Sequence, residues 1–152
     1  MAAAARALET GLPAGRALAG TGPELHAVAV AGARPLLLAR LELAECGSPL
    51  DALSIDLVRY TVSELDPHDP ARADSLAGHS RVEVEPAQVL RADLVRDAAW
   101  GETDDRGYNF RWQAAGDAAP LLPTAGRTYR FEFEIVPRTG VPLLLRFRFR
   151  TV

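Results

Sequence analysis

The sequence predicts an all-β domain, a sandwich of two sheets built from seven antiparallel strands. Two observations carry that expectation. After Pro23 the chain divides into seven runs of strand length, residues 25–30, 36–44, 53–62, 81–85, 108–114, 128–136 and 143–151, punctuated by Pro, Gly and Asp. The last two runs alternate apolar and charged residues with period two. That is the mark of a sheet with one buried and one wet face.

A chain of 152 residues, 48% apolar and 24% charged, is the size of one domain and can bury a core without staples. Residues 23–152 therefore read as a single sandwich domain. Residues 1–22, rich in Ala and Gly, carry no periodic pattern and are expected to form a flexible arm. A helix over 2–8 would be only a turn or two, which is marginal in water.

The early runs read as strands by length and by their turn-forming boundaries. Residues 66–78 hold Asp66-Pro and Asp69-Pro, ordinary turn openers. Residues 89–95 are compatible with either an extra strand or a short helical turn. In run 108–114, Tyr108, Phe110 and Trp112 alternate with Asn109 and Arg111, as a core strand would.

The final pair is the clearest. Tyr129, Phe131, Phe133 and Ile135 share one face, opposite Arg130, Glu132 and Glu134; Leu145, Phe147 and Phe149 alternate with Arg146, Arg148 and Arg150. Between them Gly140 can take positive φ and Pro137 and Pro142 end the ladder, so the two runs form a β-hairpin. Facing Glu132 with Arg148 and Glu134 with Arg146 places two opposite-charge pairs on the wet face and the four phenylalanines together in the core.

Upstream, Leu122-Pro-Thr-Ala-Gly-Arg-Thr-Tyr129 is a Pro/Gly turn leading into a strand that opens with tyrosine. Here the chain resembles the immunoglobulin and fibronectin type III superfamily. The resemblance implies an immunoglobulin-like sandwich in which the Tyr129 hydroxyl closes a corner on the backbone just upstream. Paired cysteines and an early core tryptophan, both features of antibody domains, are missing. A superfold of this kind does not imply a function.

Segment 97–112 is chemically dense. Read as a recognition loop, it offers Trp100 as an exposed aromatic face, with Glu102, Asp104 and Asp105 as ligand-binding partners for a carbohydrate or calcium, and Tyr108, Asn109 and Trp112 in support. The plainer reading is a long turn entering a core strand. Neither Asp97, Glu102, Asp104 and Asp105 nor Asp66, Asp69 and Asp74 has the spacing of an EF-hand loop. His26, His68 and His79 lack the close spacing of structural zinc ligands and read as surface residues. No metal or other cofactor is expected.

The lone Cys46 excludes an intramolecular disulfide and reads as a small buried hydrophobe. No nucleophile elbow, phosphate loop or zinc-protease helix is present, so the chain is not expected to be an enzyme. The net charge of −3 argues against nucleic acid as a partner. All 17 basic residues are arginine, which base composition explains. Arg146, Arg148 and Arg150, with Arg127 and Arg130 nearby, form a modest anion-binding stripe once cross-strand pairs are subtracted. No signal peptide or membrane span is recognisable, so the localisation stays open. The reading that unites these features is a non-catalytic binding or assembly module with a protein partner or self-association; the alternative is a carbohydrate- or calcium-binding sandwich using 97–112.

Overall fold

The computed structural model describes residues 4–6, 10–12, 24–43, 48–69, 71–100 and 105–152, with the backbone alone at 4–6, 10–12 and 43. Twelve strands form there: β1 (Ala4–Arg6), β2 (Thr10–Leu12), β3 (Glu24–Ala29), β4 (Leu36–Ala39), β5 (Leu41–Leu43), β6 (Ile55–Leu65), β7 (Ala73–Ser75), β8 (Val82–Val84), β9 (Leu90–Val95), β10 (Tyr108–Trp112), β11 (Thr128–Pro137) and β12 (Leu143–Thr151). One short α-helix, α1 (Pro86–Val89), opens on a proline at its first turn and runs directly into β9, and a 3-10 turn spans Ala52–Ser54. Both readings of 89–95 therefore meet at Val89.

A four-stranded sheet has the order β1-β4-β10-β9. A six-stranded sheet has the order β3-β12-β11-β6-β7, with β8 also on β6, and β2 pairs with β5. The all-β expectation stands. The purely antiparallel, seven-stranded one is corrected, because β1 on β4, β2 on β5 and β3 on β12 are parallel. Short turns make consecutive strands antiparallel, whereas these pairs join strands with other elements between them, which periodicity cannot reveal. Within residues 1–22, expected as an arm, 4–6 and 10–12 are strands paired to Leu36–Leu38 and Leu41–Leu43. The rest of 1–22 lies outside the described residues, as does Cys46.

The two larger sheets share one core. Along β11 and β12 every second side chain is buried, so Tyr129, Phe131, Phe133, Ile135, Leu145, Phe147 and Phe149 leave water together. From the other sheet, Phe110 meets Phe133 at 5.0 Å between ring centroids, and Trp112 meets Tyr60 at 4.8 Å and Phe133 at 5.4 Å. These tilted and edge-on contacts suit the ring quadrupoles. Tyr108, Phe110 and Trp112 belong to the buried interior, as the plainer reading of their strand requires.

The hairpin forms and Gly140 sits at φ +107°. Its register differs from expectation by two residues: Glu132 faces Arg146, Glu134 faces Leu144 and Arg130 faces Arg148. A slip of two keeps every side chain on its own face, so alternation alone does not choose between the registers. Glu134 is instead held by Arg59 of β6, with Nη2 at 2.7 Å and Nε at 3.0 Å from its carboxylate oxygens. That fork holds the Glu134 carboxyl below its usual range.

Run 36–44 is broken at Arg40, which separates β4 from β5. There the fully buried Asn109 takes the place of a paired backbone. Its Oδ1 accepts from the Leu41 N–H at 2.7 Å and its Nδ2 donates to the carbonyls of Leu41 and Leu50 at 2.8 and 3.2 Å. Asn109 is thus a buried support, not a contact of a recognition loop. His79, expected at the surface, is 2% exposed. Its Nε2 donates to the Ala119 carbonyl at 2.8 Å, so Nδ1 accepts from the Tyr60 hydroxyl at 3.0 Å.

Candidate functional site

The segment singled out in the sequence does not present an aromatic platform. Oδ1 of Asp97 accepts from the N–H groups of Ala99 and Trp100, at 2.9 and 3.3 Å, in a turn that folds the chain back on itself. Trp100 is carried inward to 1% exposure, against Tyr108 and Leu38 in a satellite cluster. The expectation of an exposed Trp100 is corrected. Tyr108 donates its hydroxyl to Oδ2 of Asp97 at 2.6 Å. That bond, before any other cause, holds the Asp97 carboxyl below its usual range, while burial first and then Asp97 raise the Tyr108 phenol.

Glu102 and Asp104 lie outside the described residues. Asp105 is fully exposed, with Arg96 at 3.8 Å. Asp66 and Asp69 spend carboxylate oxygens on the N–H groups of His68, Asp69 and Ala71. Among the described residues no group of three or more His, Cys, Asp or Glu side chains could hold a metal ion.

The wet face of the six-stranded sheet is different. The register of β3 on β12 sets Glu24 beside Arg146, His26 beside Arg148 and Val28 beside Arg150. On the other side of β12, Arg148 faces Arg130 and Arg150 faces Thr128. Basic side chains from three strands therefore converge near one end of the sheet, where β11 begins and β12 finishes.

Two concavities adjoin there, sharing Thr128 and Arg148. One, of about 370 Å³, is completed by His26, Ala27, Val28 and Arg150. The other, of about 230 Å³, reaches to Leu65, Asp66 and Arg127. Their volumes lie near the lower end of ordinary small-ligand sites.

The charges around them are unevenly balanced. Oε1 of Glu24 serves two guanidinium groups, 2.8 Å from Nε of Arg148 and 3.4 Å from Nε of Arg130. The Arg148 contact lacks hydrogen-bond alignment. Arg127 lies 3.5 Å from Glu64, and Arg146 donates from Nε to Glu132 at 2.7 Å. Arg150, exposed, has no carboxylate partner among the described residues. One carboxylate shared by two arginines, beside a third without one, leaves local positive charge suited to an anionic group.

The sequence names the arginines of this stripe. It does not place His26 and Val28 beside them, because only the parallel pairing of β3 with β12 does so. No protein-family model, curated protein or solved structure matches the chain.

Across the described residues, no helix is long and apolar enough to cross a membrane.

Proposed function

We propose that the chain is a non-catalytic binding or assembly module. Its contact surface is the wet face of the six-stranded sheet around Thr128 and Arg148, and the group it receives there is anionic. The observation that carries this reading is the pair of adjoining concavities bordered by Arg127, Arg148 and Arg150, with Arg150 left without a carboxylate. The side chains with shifted protonation, Asp97 with Tyr108, Glu134 with Arg59, and the buried Tyr60 bonded to His79, are each held by a neighbour, and none of them lines either hollow. Such locked pairs are supports rather than acid–base machinery.

The architecture is read as an immunoglobulin-like sandwich. In support, the Tyr129 hydroxyl, at the start of the penultimate strand, accepts from the Thr124 N–H at 3.1 Å. That is the corner the resemblance implies.

The test is an NMR titration of the isotope-labelled chain with inorganic phosphate and with free glutamate, each up to millimolar concentration. Amide shifts confined to Thr128, Arg148, Arg150 and their neighbours support the reading. Shifts absent there, or spread evenly over all surface arginines, overturn it.

A further inference from the structure

Four large apolar residues stand exposed among the described ones, and three lie together: Val28 at 61%, Val30 at 64% and Val152 at 58%. They flank the junction of β3 with the end of β12, where the Val152 N–H donates to the Ala29 carbonyl and the Ala31 N–H donates to the Val152 carbonyl. These two bonds orient β3. Because a strand's N–H and C=O groups alternate sides, Leu25, Ala27 and Ala29 turn theirs toward β12. His26 and Val28 turn theirs the other way.

On that other side, among the described residues, β3 is the last strand of its sheet. Strand β1 comes near it without pairing to it. Edges of this kind are normally blunted by lysine, proline or a bulge, because unpaired backbone groups recruit further strands. The stretch His26-Ala-Val-Ala-Val30 has none of these devices, and its two valines face water.

We propose that the open edge of β3 receives an extended, acid-bearing segment of a partner protein as an added strand. This rests on the reading of the wet face as a binding surface and names the partner it takes. Backbone groups of His26 and Val28 would supply the ladder. The choice of an acidic partner follows from charge. Arg150 lies on β12 directly beside Val28, and the concavity bounded by His26, Val28, Arg148 and Arg150 opens over β3.

A guest strand would run about 10 Å from β12, two strand spacings away. The small Val28 leaves room for Arg150 and a guest glutamate to meet across it. On the opposite face, the guest's alternate residues would lie beside Leu25 and Ala27, both partly buried against the core, and would be apolar. A second copy of this chain is the poorer occupant, because its own β3 carries a single carboxylate, Glu24, already shared by Arg130 and Arg148.

The experiment uses the full chain and fluorescein-labelled ten-residue peptides alternating valine with glutamate, serine or lysine. Anisotropy measures binding, and NMR hydrogen exchange follows the backbone amides. The proposal expects the glutamate peptide to bind about tenfold more tightly than the serine one, the worth of one charge-assisted hydrogen bond. It also expects new protection at the amides of His26 and Val28. Arg150→Ala should remove the preference for glutamate. Val28→Pro should abolish binding, since it deletes an outward N–H without touching the ladder to β12.

Phosphate shifts at Thr128 and Arg148 with no peptide binding would overturn the added strand while leaving the proposed function standing. A dimer in light scattering that Val28→Pro dissolves would assign the edge to a second copy, and overturn the partner. Binding of the glutamate peptide without protection at His26 and Val28 would also overturn it.

Discussion

The hydroxyl of Tyr108 donates to Oδ2 of Asp97 at 2.6 Å, while Oδ1 of the same carboxylate holds the turn that buries Trp100. One carboxylate thus fastens a segment whose composition invites a ligand. Its protonation should be visible in stability. Asp97 titrates below its usual range in the folded chain, so its contribution is present above the unfolded carboxylate value and is lost as pH falls through the folded one. Tyr108 titrates above its usual range, so its share is present below the unfolded phenol value and fades as pH rises through the folded one. Burial raises the Tyr60 phenol as well and adds to the alkaline limb.

Tyr108→Phe should therefore return the Asp97 carboxyl toward its ordinary range and cost about 1 kcal/mol near neutral pH. Carbon-13 NMR of the carboxylate and urea denaturation read these two effects. An unchanged Asp97 midpoint would show that the bond does not set it. The Glu134 share of the acid limb, which comes from Arg59, should persist in the variant.

Asn109→Leu should be among the most damaging single changes. It leaves the N–H of Leu41 and the C=O of Leu50 without the partner they have now, while the C=O of Leu41 keeps only the Leu50 N–H. With two or more buried backbone groups unpaired, the cost should be about 3 kcal/mol in chemical denaturation. A loss below about 1 kcal/mol would mean that water replaces the amide there.

Gly107 sits at φ +92°, and a Cβ on it would lie 2.4 Å from the carbonyl oxygen of Val95. That oxygen belongs to the backbone of β9 and cannot swing aside. Gly107→Ala should cost at least about 2 kcal/mol from left-handed strain and the clash together. Thermal unfolding of the variant measures it, and a melting temperature equal to the parent's would contradict the β9–β10 geometry.

The hairpin register can be checked by coupling energies. A double-mutant cycle on Glu132 and Arg146 should give about 0.5 kcal/mol, weakening with salt. The cycle on Glu132 and Arg148, partners in the register expected from sequence, should give nothing resolvable. Reversed results would restore the other register.

What was readable in the sequence follows from the range of each signal. The alternation along 128–136 and 143–151 is local, and it fixes which side chains enter the core. It leaves the register open, because a shift of two preserves both faces. The aromatic core strand 108–112 was legible for the same reason. The burial of Trp100 is not legible, because its place depends on the Asp97 turn and on Tyr108, not on any period. Nor is the burial of His79, because its partners, Tyr60 and the Ala119 carbonyl, come from other elements. At the candidate site the arginines were legible and their neighbours were not, since His26 and Val28 reach them through a parallel pairing between distant strands.

That pairing also sets an order of events while the chain is being made. Strand β3 leaves the ribosome well before β12, which is its one ladder partner among the described residues and the last of the described strands to emerge. Until then the inward residues Leu25, Ala27 and Ala29 have no sheet to join, and the stretch of valines beside them stays open on both edges. Closing so large a loop is slow, and an unpaired apolar strand is the kind of segment that associates with other chains in the interval. Until synthesis reaches β12, the unpaired strand Glu24–Ala29 is therefore open to other chains and to a holding chaperone.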